Sequence, residues 1–370
     1  MPLPSRRAFV QQLGQGIGAA VALPALGSTL AGAGAPARKL NVALCGLGRY
    51  ATIIAGSLAA SQHCRLAGIV TGTPSKAAQW QRDYQLPARN CYSYATFEQL
   101  RTNKDIDLVY ITLPNGLHKE YTLRAAQAGK HVLVEKPMAL TERDCQEMIN
   151  ACQKAGVQLA VGYRLHYDPY HQELMRLGQQ KVFGQVHLIE ASLGYRLAGL
   201  PATDWHLNKA LAGGGPLMNL GVYCVQSARY TLGEEPVAVT AQLGPVTMPG
   251  LFKEVEENIS WQLTFPSGAV CTSSSTSNCN IDRFFATADE GYFELAPALS
   301  YGPFSGRTSR GPLQFTPVNQ QATQLDDIAQ HLFANRPVPA HVSGEEGRKD
   351  LRVLEAIYRA AYSGQRVTLT

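Results

Sequence analysis

A glycine-rich turn near residue 46 has the residue types and spacing of a dinucleotide-binding loop. The apolar run 40–45 leads directly into Gly46-Leu47-Gly48-Arg49-Tyr50-Ala51, after which apolar residues recur at helical spacing. Gly46 permits a tight turn, Gly48 lets a pyrophosphate approach the backbone, and Ala51 lets the helix pack close to the strand. The positive end of that helix would then hold the phosphate. The sequence predicts cofactor contacts from Gly46, Leu47, Gly48, Arg49 and Tyr50.

The end of the next apolar run, 65–70, indicates which nucleotide this loop would bind. A domain that binds NAD usually carries Asp or Glu near this point to hold the ribose 2′-hydroxyl. This sequence instead has Thr71, Thr73 and Lys76 there, with Arg49 in the preceding loop. Hydroxyl and cationic groups suit a 2′-phosphate, so the sequence favours NADP over NAD. The alternative is that Lys76 and Arg49 are ordinary surface cations.

Two later strand ends carry further polar groups. The apolar run 107–113 ends at Pro114-Asn115, and the run 131–134 ends at Glu135-Lys136-Pro137. Continuous apolar runs are typical of buried parallel strands, and ligands bind at the carboxyl ends of such strands. Lys136 is therefore expected where a nicotinamide and its substrate would meet. Taken alone, a lysine at a strand end is more often a surface cation.

The elements that must position these groups alternate between strand and helix. This alternation predicts an α/β Rossmann-type nucleotide-binding domain over 34–164. Over 165–370 the patterns predict an α+β domain with a large, mainly antiparallel sheet, whose C-terminal helix could pack back on the first domain. Candidate strands in the second domain are 184–195, 236–245, 256–266, 268–276, 281–288 and 291–295, and candidate helices are about 217–232, 322–335 and 344–363.

Several motifs together resemble one enzyme family. Gly46-x-Gly48-x-x-Ala51, Pro114-Asn115-x-x-His118 and Glu135-Lys136-Pro137, at these separations, resemble the Gfo/Idh/MocA oxidoreductases. The segments 162–169, 211–218, 221–223 and 344–350 are most similar to the glucose–fructose oxidoreductase branch of that family. The resemblance covers nearly the whole chain after residue 33.

The resemblance has further implications for the cofactor, the location and the assembly. It implies a periplasmic protein that holds NADP so tightly that the cofactor is recycled in place. It also implies a homodimer or homotetramer formed through the face of the large sheet. Further cofactor contacts are expected at Leu113, Pro114, Asn115, His118, Glu135 and Lys136. For His118 the alternative is a capped helix residue that touches no ligand.

Tyr223 is the acid/base that the resemblance implies, because the family places Tyr or His at this point after the triple-glycine segment. Hydride transfer from a sugar hydroxyl carbon needs a group that moves the hydroxyl proton and a cation that holds the developing alkoxide. Lys136 would supply the cation, and its charge would favour the phenolate form of Tyr223. The sequence has 16 tyrosines, so a helix core aromatic is the alternative for Tyr223.

One position departs from the family pattern. The family has Asp four residues before the acid/base residue, whereas this chain has Asn219. Asn can hydrogen-bond a sugar hydroxyl or Lys136, but it carries no charge and accepts no proton. Substrate choice and rate are therefore expected to differ from those of the family. The other predicted substrate residues are Arg164, Trp205 and His206, with Tyr163 and His166 as further pocket candidates; a buried core position is the alternative for Trp205.

The first 33 residues have the pattern of an export signal. Ser5-Arg6-Arg7-Ala8-Phe9 resembles a twin-arginine motif, the stretch 8–37 carries no charge, and Ala31-Gly32-Ala33 offers a cleavage site. These features predict export of the folded protein by the twin-arginine machinery. The alternative is an uncleaved membrane anchor, although Pro24 and many glycines make a poor membrane helix. No stable membrane span is therefore expected.

Composition argues against several other classes of protein. The 33 Lys and Arg residues exceed the 28 Asp and Glu residues by only five, and they form no basic block, which argues against nucleic-acid binding. The eight cysteines are scattered without a Cys-x-x-Cys pair, which argues against a zinc site and a disulfide framework. No metal is therefore expected.

The leading hypothesis is a periplasmic, NADP-dependent sugar oxidoreductase. It would oxidise an aldose at C1 to a lactone and pass the hydride to a second sugar or carbonyl acceptor. One alternative is an ordinary NAD(P)-dependent sugar or polyol dehydrogenase with an exchangeable cofactor. Another is a sugar-binding relative whose catalysis is weakened by Asn219. A third is a glycosidase with transient oxidation by bound NAD, which the intact Glu135-Lys136-Pro137 disfavours.

Overall fold

The apolar runs of the first half of the chain form a six-stranded parallel sheet. The computed structural model describes residues 38–197 and 199–369, so the predicted export signal lies outside the described residues. The strands are β1 (Leu40–Cys45), β2 (Cys64–Val70), β3 (Cys91–Tyr92), β4 (Leu108–Ile111), β5 (His131–Val134) and β6 (Leu159–Val161). They lie in the order β3-β2-β1-β4-β5-β6. The strand order reverses between β1 and β4, and ligands of open α/β sheets bind at such a reversal.

Helices cover both faces of this sheet. They are α1 (Arg49–Ala60), α2 (Pro74–Asp83), α3 (His118–Gln127) and α4 (Glu142–Ala155), with 3₁₀ turns at Ala88–Asn90, Tyr94–Arg101 and Asn115–Leu117. Alternate residues of each strand belong to two different hydrophobic clusters; in β1, Val42 and Leu44 contribute to one cluster and Ala43 and Cys45 to the other. Burial of both faces explains the continuous apolar runs in the sequence.

The second half of the chain forms a nine-stranded mixed sheet. Its strands are β7 (Val186–Gly194), β8 (Ala238–Leu243), β9 (Asn258–Thr264), β10 (Val270–Thr276), β11 (Ile281–Ala288), β12 (Gly291–Leu295), β13 (Gly306–Thr308), β14 (Gly311–Leu313) and β15 (Val367–Thr368). They lie in the order β14-β13-β12-β11-β7-β10-β9-β8-β15. Only β7 and β10 pair in parallel, which confirms the predicted, mainly antiparallel sheet.

One face of the second sheet carries the core of that half. In β9, Ile259, Trp261 and Leu263 are buried and alternate with the exposed Ser260 and Gln262. The helices of this half are α5 (Pro169–Gln179), α6 (Lys209–Ala212), α7 (Val222–Leu232), α8 (Gln320–Phe333) and α9 (Gly344–Ser363). A π-helical segment, Leu217–Gly221, precedes α7, and 3₁₀ turns lie at Arg164–Tyr167, Trp205–Leu207 and Ala340–Val342. No helix in the described ranges is long and apolar enough to cross a membrane.

The last two helices pack against the first sheet and its helices. Leu325 and Ile328 of α8 belong to the hydrophobic cluster that contains β1 and α1. Asp326 accepts hydrogen bonds from the Ser61 hydroxyl at 2.5 Å and from the His63 backbone N–H at 2.8 Å, both at the end of α1. Gly347 of α9 approaches the first sheet so closely that an added Cβ would lie 2.5 Å from the Met138 sulfur. Residues 38–370 therefore form one compact unit.

Candidate active site

The glycine-rich loop leaves open space beside the N-terminus of α1. Gly46 has a φ of +95°, and a Cβ there would lie 2.8 Å from Leu113 Cδ2, so the turn requires glycine. The Thr112 hydroxyl donates to the Gly46 carbonyl at 2.7 Å. Gly48 caps α1, and a Cβ there would meet nothing within 4 Å. The loop therefore fits a dinucleotide, whose pyrophosphate needs open space and backbone N–H groups at a helix N-terminus.

The end of β2 lies beside this loop. Thr71 is buried, and its hydroxyl accepts a hydrogen bond from the Thr73 N–H at 3.3 Å. Lys76 donates from Nζ to the Leu47 carbonyl oxygen at 3.1 Å, so its ammonium group is held against the glycine-rich loop. The Arg49 side chain is exposed at the start of α1. These residues could hold a 2′-phosphate at the mouth of the loop.

His118 connects the carboxyl ends of β4 and β5. Its ring is buried, with Nε2 at 2.8 Å from the Leu113 carbonyl oxygen and Nδ1 at 2.9 Å from the Pro137 carbonyl oxygen. Burial lowers the pKa of His118 to about 4, so the ring is neutral near pH 7. Asn115, between these strand ends, donates from Nδ2 to the Ala212 carbonyl oxygen at 2.9 Å. Both side chains thus fix the loops that carry the site.

Glu135 is a buried carboxyl group behind the site. Its Oε1 accepts from the Tyr110 hydroxyl at 2.5 Å, and its Oε2 accepts from the Lys136 N–H at 3.3 Å. Burial raises the pKa of Glu135, while hydrogen bonds from Tyr110 and Tyr50 oppose that rise. A Cβ at Gly162 would lie 2.4 Å from Glu135 Oε1, so this position has room only for glycine. Glu135 therefore orients the backbone that presents Lys136.

The Lys136 ammonium group reaches the segment that precedes α7. Asn219 lies in the π-helical segment, and π-helical hydrogen bonds run from residue i to i+5 rather than i+4. Lys136 Nζ donates to the Asn219 carbonyl oxygen at 2.8 Å. Lys136 thus bonds the backbone at this position rather than the side chain. The family has Asp at this position and this chain has Asn219, so a carboxylate charge is lost here. The hydrogen bond from Lys136 does not depend on that side chain, because it uses the backbone carbonyl oxygen.

Tyr223 lies between two cations in the first turn of α7. Lys136 Nζ is 4.6 Å from the centre of its ring, and the Arg164 guanidinium carbon is 5.2 Å from the same point. The residue as a whole is only 8% exposed. Two cations therefore lie close to a nearly buried phenol ring.

Arg164 is a buried cation without a carboxylate partner among the described residues. It is 1% exposed, and its terminal nitrogens donate to Gln320 Oε1 at 2.6 Å and to the carbonyl oxygens of Leu299 and Ser300 at 3.1 and 2.9 Å. The Tyr301 ring lies 4.3 Å from its guanidinium carbon on another side. Burial opposes the charge, but the tyrosine oxygens that face it hold the pKa of Arg164 above its usual value. Arg164 thus lies against the Tyr223 ring as a buried cation.

A small pocket brings together three of the predicted substrate residues. Trp205, His206 and Asn219 line it, together with Phe252 and Ser277, which the sequence analysis missed. The Trp205 and His206 rings stack with centres 3.8 Å apart, and His206 Nδ1 lies 2.6 Å from an Asp204 carboxylate oxygen. Burial lowers the pKa of His206, although the Asp204 carboxylate opposes the fall.

Two further pocket candidates of the sequence analysis lie elsewhere. The Tyr163 hydroxyl donates to Asp350 at 2.6 Å. The His166 ring packs against Tyr230 and His341, with ring centres 4.9 and 5.2 Å away. The sequence alone does not show which of these neighbouring residues contacts Tyr223. The 3₁₀ turn that follows Tyr163 directs their side chains to different sites.

A Rossmann sheet with this glycine-rich loop, and a Lys–Tyr pair that joins its strand ends to the second half of the chain, defines a nicotinamide-dependent oxidoreductase. Comparison with protein families agrees. Residues 40–163 match the GFO_IDH_MocA model, described as an oxidoreductase family with an NAD-binding Rossmann fold. Residues 171–294 match the GFO/IDH/MocA C-terminal domain. The chain therefore belongs to the Gfo/Idh/MocA oxidoreductase family, and the predicted family is confirmed.

Individual relatives match about three quarters of this chain or more. A crystal structure of aldose-aldose oxidoreductase from Caulobacter crescentus is 42% identical, with a TM-score of 0.86 over 90% of this chain and 100% of that one. D-xylose 1-dehydrogenase [NADP(+)] of Haloarcula marismortui is 27% identical over 89% of this chain and 93% of its own. The 1,5-anhydro-D-fructose reductase of Ensifer adhaerens is 29% identical over 74% of this chain and 83% of its own.

Proposed function

We propose that the protein is an NADP-dependent sugar oxidoreductase. It oxidises an aldose at C1 to a lactone and passes the hydride to a second sugar or carbonyl compound, while NADP remains bound. The observation that carries this proposal is the placement of Tyr223 between Lys136 and Arg164, with Lys136 hydrogen-bonded to Asn219, which lines the pocket of Trp205. The names of the relatives support it, because an aldose-aldose oxidoreductase and an NADP-dependent xylose dehydrogenase are among them.

In the oxidative half-reaction the side chains of this chain handle the proton and the oxygen. Tyr223 takes the proton of the C1 hydroxyl, and Lys136 holds the oxygen as its negative charge develops. The C1–H bond breaks with its electron pair, and a C=O bond forms. Bound nicotinamide supplies the acceptor for that hydride. In the reductive half-reaction the same two residues return a proton to the carbonyl oxygen of the second substrate.

The preference for NADP rests on the end of β2. Lys76 is held against the glycine-rich loop, Thr71 and Thr73 add hydroxyl groups, and residues 71–76 include no carboxylate that would hold a 2′-hydroxyl. Arg49 adds a second cation at the start of α1. Cationic and hydroxyl groups suit a phosphate better than they suit a ribose hydroxyl.

Tight cofactor binding and a periplasmic location are proposed together. The twin-arginine pattern at Arg6 and Arg7 is read by a route that carries folded cargo. An enzyme exported already loaded does not depend on a nicotinamide pool outside the cytoplasm. A homodimer or homotetramer is proposed through the outer face of the nine-stranded sheet, where Phe285 and Tyr292 stack with ring centres 5.6 Å apart.

Purification without added nucleotide tests the proposal. The purified protein should carry NADP in near-equimolar amount. An aldose should convert this bound NADP to its reduced form, and a second carbonyl compound should oxidise it again. A protein that carries no nucleotide but turns over with added NADP would be the ordinary sugar dehydrogenase. The D-xylose 1-dehydrogenase relative supports that second candidate.

A further inference from the structure

A second cleft, separate from the pocket of Trp205, lies among α5, α7 and the start of α9. Its volume is about 510 Å³, and it shares no lining residue with that pocket. Its wall includes His166, Gln226, Tyr230 and His341. An ion-pair cluster, formed by Arg229, Glu235, Glu346 and Lys349, makes up its polar side. The redox chemistry proposed above uses none of these residues.

Buried polar groups in this cleft lack hydrogen-bond partners among the described residues. Gln226 is 4% exposed and His166 is 8% exposed, and the hydrogen bond made at His166 uses its backbone carbonyl. Of the neighbouring buried polar side chains, His171 bonds to the Tyr230 hydroxyl and to the Ala298 carbonyl, whereas the Thr231 hydroxyl has no partner among the described residues. Buried polar groups are nearly always hydrogen-bonded, so polar groups that open into a cleft without a protein partner bond there to water or to a ligand.

The two imidazole rings of the cleft are neutral. Burial lowers the pKa of His166 to about 3, and it also lowers the pKa of His341. A neutral imidazole offers one donor and one acceptor. Together with the amide of Gln226, these rings therefore present both donors and acceptors to the cleft.

The charges around the cleft disfavour an anionic ligand. Arg229 donates to Glu235 at 2.7 and 2.8 Å, to Glu346 at 2.9 Å, and to the buried Asp350. Lys349 Nζ lies 2.8 Å from Glu346 and 3.4 Å from Glu235. Carboxylates thus already occupy both cations. Among the described residues, no three His, Cys, Asp or Glu side chains are placed to hold a metal ion.

We propose that this cleft binds a neutral saccharide or polyol. The amide of Gln226 and the rings of His166 and His341 would exchange hydrogen bonds with its hydroxyl groups. Glu235 and Glu346 keep lone pairs that accept from further hydroxyls. The Tyr230 and His166 rings, 4.9 Å apart, offer an apolar surface to its C–H groups. This site is additional to the redox pocket, and its occupation does not require hydride transfer.

The cleft and the redox pocket lie at two ends of shared elements. Two side chains of the 3₁₀ turn Arg164–Tyr167 lie at different sites. Arg164 lies against Tyr223, and His166 lines the cleft. Helix α7 carries Tyr223 in its first turn and Gln226 in the wall of the cleft. Sugar binding in the cleft must therefore be measured in a variant that does not turn over, so that the redox reaction cannot produce the NMR signal.

Histidine NMR on a Tyr223→Phe variant with its nucleotide tests the proposal. With ¹³Cε1-labelled histidine, titration with D-xylose or D-glucose should shift the His166 and His341 signals in a saturable way and leave the buried His118 signal unchanged. In the same background, Gln226→Leu should weaken this binding by about tenfold, the effect of one lost hydrogen bond of about 1.4 kcal/mol. Gln153→Leu, at an exposed site on α4, is the matched control and should leave it unchanged.

Several results would overturn the assignment. One is the absence of any sugar-dependent shift of the two signals, and another is equal affinity in the Gln226→Leu and control proteins. A shift caused by spermidine, but not by either sugar, would assign the cleft to an organic cation instead. His341→Ala provides a second variant if Gln226→Leu unfolds. Hydride transfer is measured separately, with the wild-type protein. Failure of the proposed redox function would therefore be distinguishable from failure of sugar binding in the cleft.

Discussion

Removal of the charge at Arg164 should disable Tyr223 even though Arg164 hardly reaches solvent. The guanidinium carbon lies 5.2 Å from the centre of the Tyr223 ring. With an effective dielectric constant of about 20, a unit charge stabilises an opposite unit charge at that distance by about 3 kcal/mol. Arg164→Met should therefore lower kcat/KM for sugar oxidation by about 100-fold.

The assay is steady-state oxidation of an aldose at one fixed pH, with the bound nucleotide quantified in each variant. Arg164→Lys is the matched control, because it keeps a positive charge near Tyr223. It lacks the planar guanidinium group that bonds Gln320 and the two carbonyl oxygens, so it separates the effect of charge from that of these hydrogen bonds. It should recover most of the lost kcat/KM. An Arg164→Met protein that folds, keeps nucleotide and oxidises the aldose with the wild-type kcat/KM would refute the electrostatic role of Arg164.

Other features of the structure lead to three further predictions. Gly46→Ala forces a side chain into a φ of +95° and should lower the free energy of unfolding by about 1–3 kcal/mol in urea melts; unchanged stability would contradict the turn geometry. Lys76→Ala should weaken NADP binding by about tenfold and leave NAD binding nearly unchanged in calorimetric titrations of protein stripped of nucleotide, and equal losses for both would refute the 2′-phosphate contact. The pKa values of His118, His166 and His171 are about 4, 3 and 3, below the ordinary 6.5, so the unfolded chain binds more protons below pH 6.5. The free energy of unfolding should therefore fall as pH drops from 6.5 to 4, and His166→Phe should reduce the slope; an unchanged slope would contradict the burial of that ring.

The local parts of the site could be predicted from the sequence. The glycine-rich turn after β1 and the Glu135-Lys136-Pro137 segment after β5 are recognisable because an apolar run, a turn and a helix follow one another over few residues. The six strands predicted in the second half also agree with β7–β12 to within two residues. The very short β13, β14 and β15 were missed, because two or three residues cannot show an alternating pattern.

The parts that depend on distant contacts could not be predicted. Arg164, Tyr223 and Tyr301 come from three separate segments, and only the packing of α7 and α8 against the 3₁₀ turn of Arg164 brings them together. Lys136 and Asn219 are 83 positions apart, and no local residue pattern indicates a contact between such distant positions. The hydrogen bond uses the backbone of Asn219, and the predicted role of its side chain stays a prediction.

The central claim is that Tyr223 moves the proton of a sugar hydroxyl while bound NADP stays in place. A single-turnover mixing experiment tests it most directly: protein purified with its nucleotide is mixed with an aldose, and formation of reduced nicotinamide is followed. The wild-type protein should reduce its bound nucleotide in one phase, and Tyr223→Phe should retain the nucleotide but reduce it at least about 100-fold more slowly. A Tyr223→Phe protein that reduces its nucleotide at the wild-type rate would contradict the account.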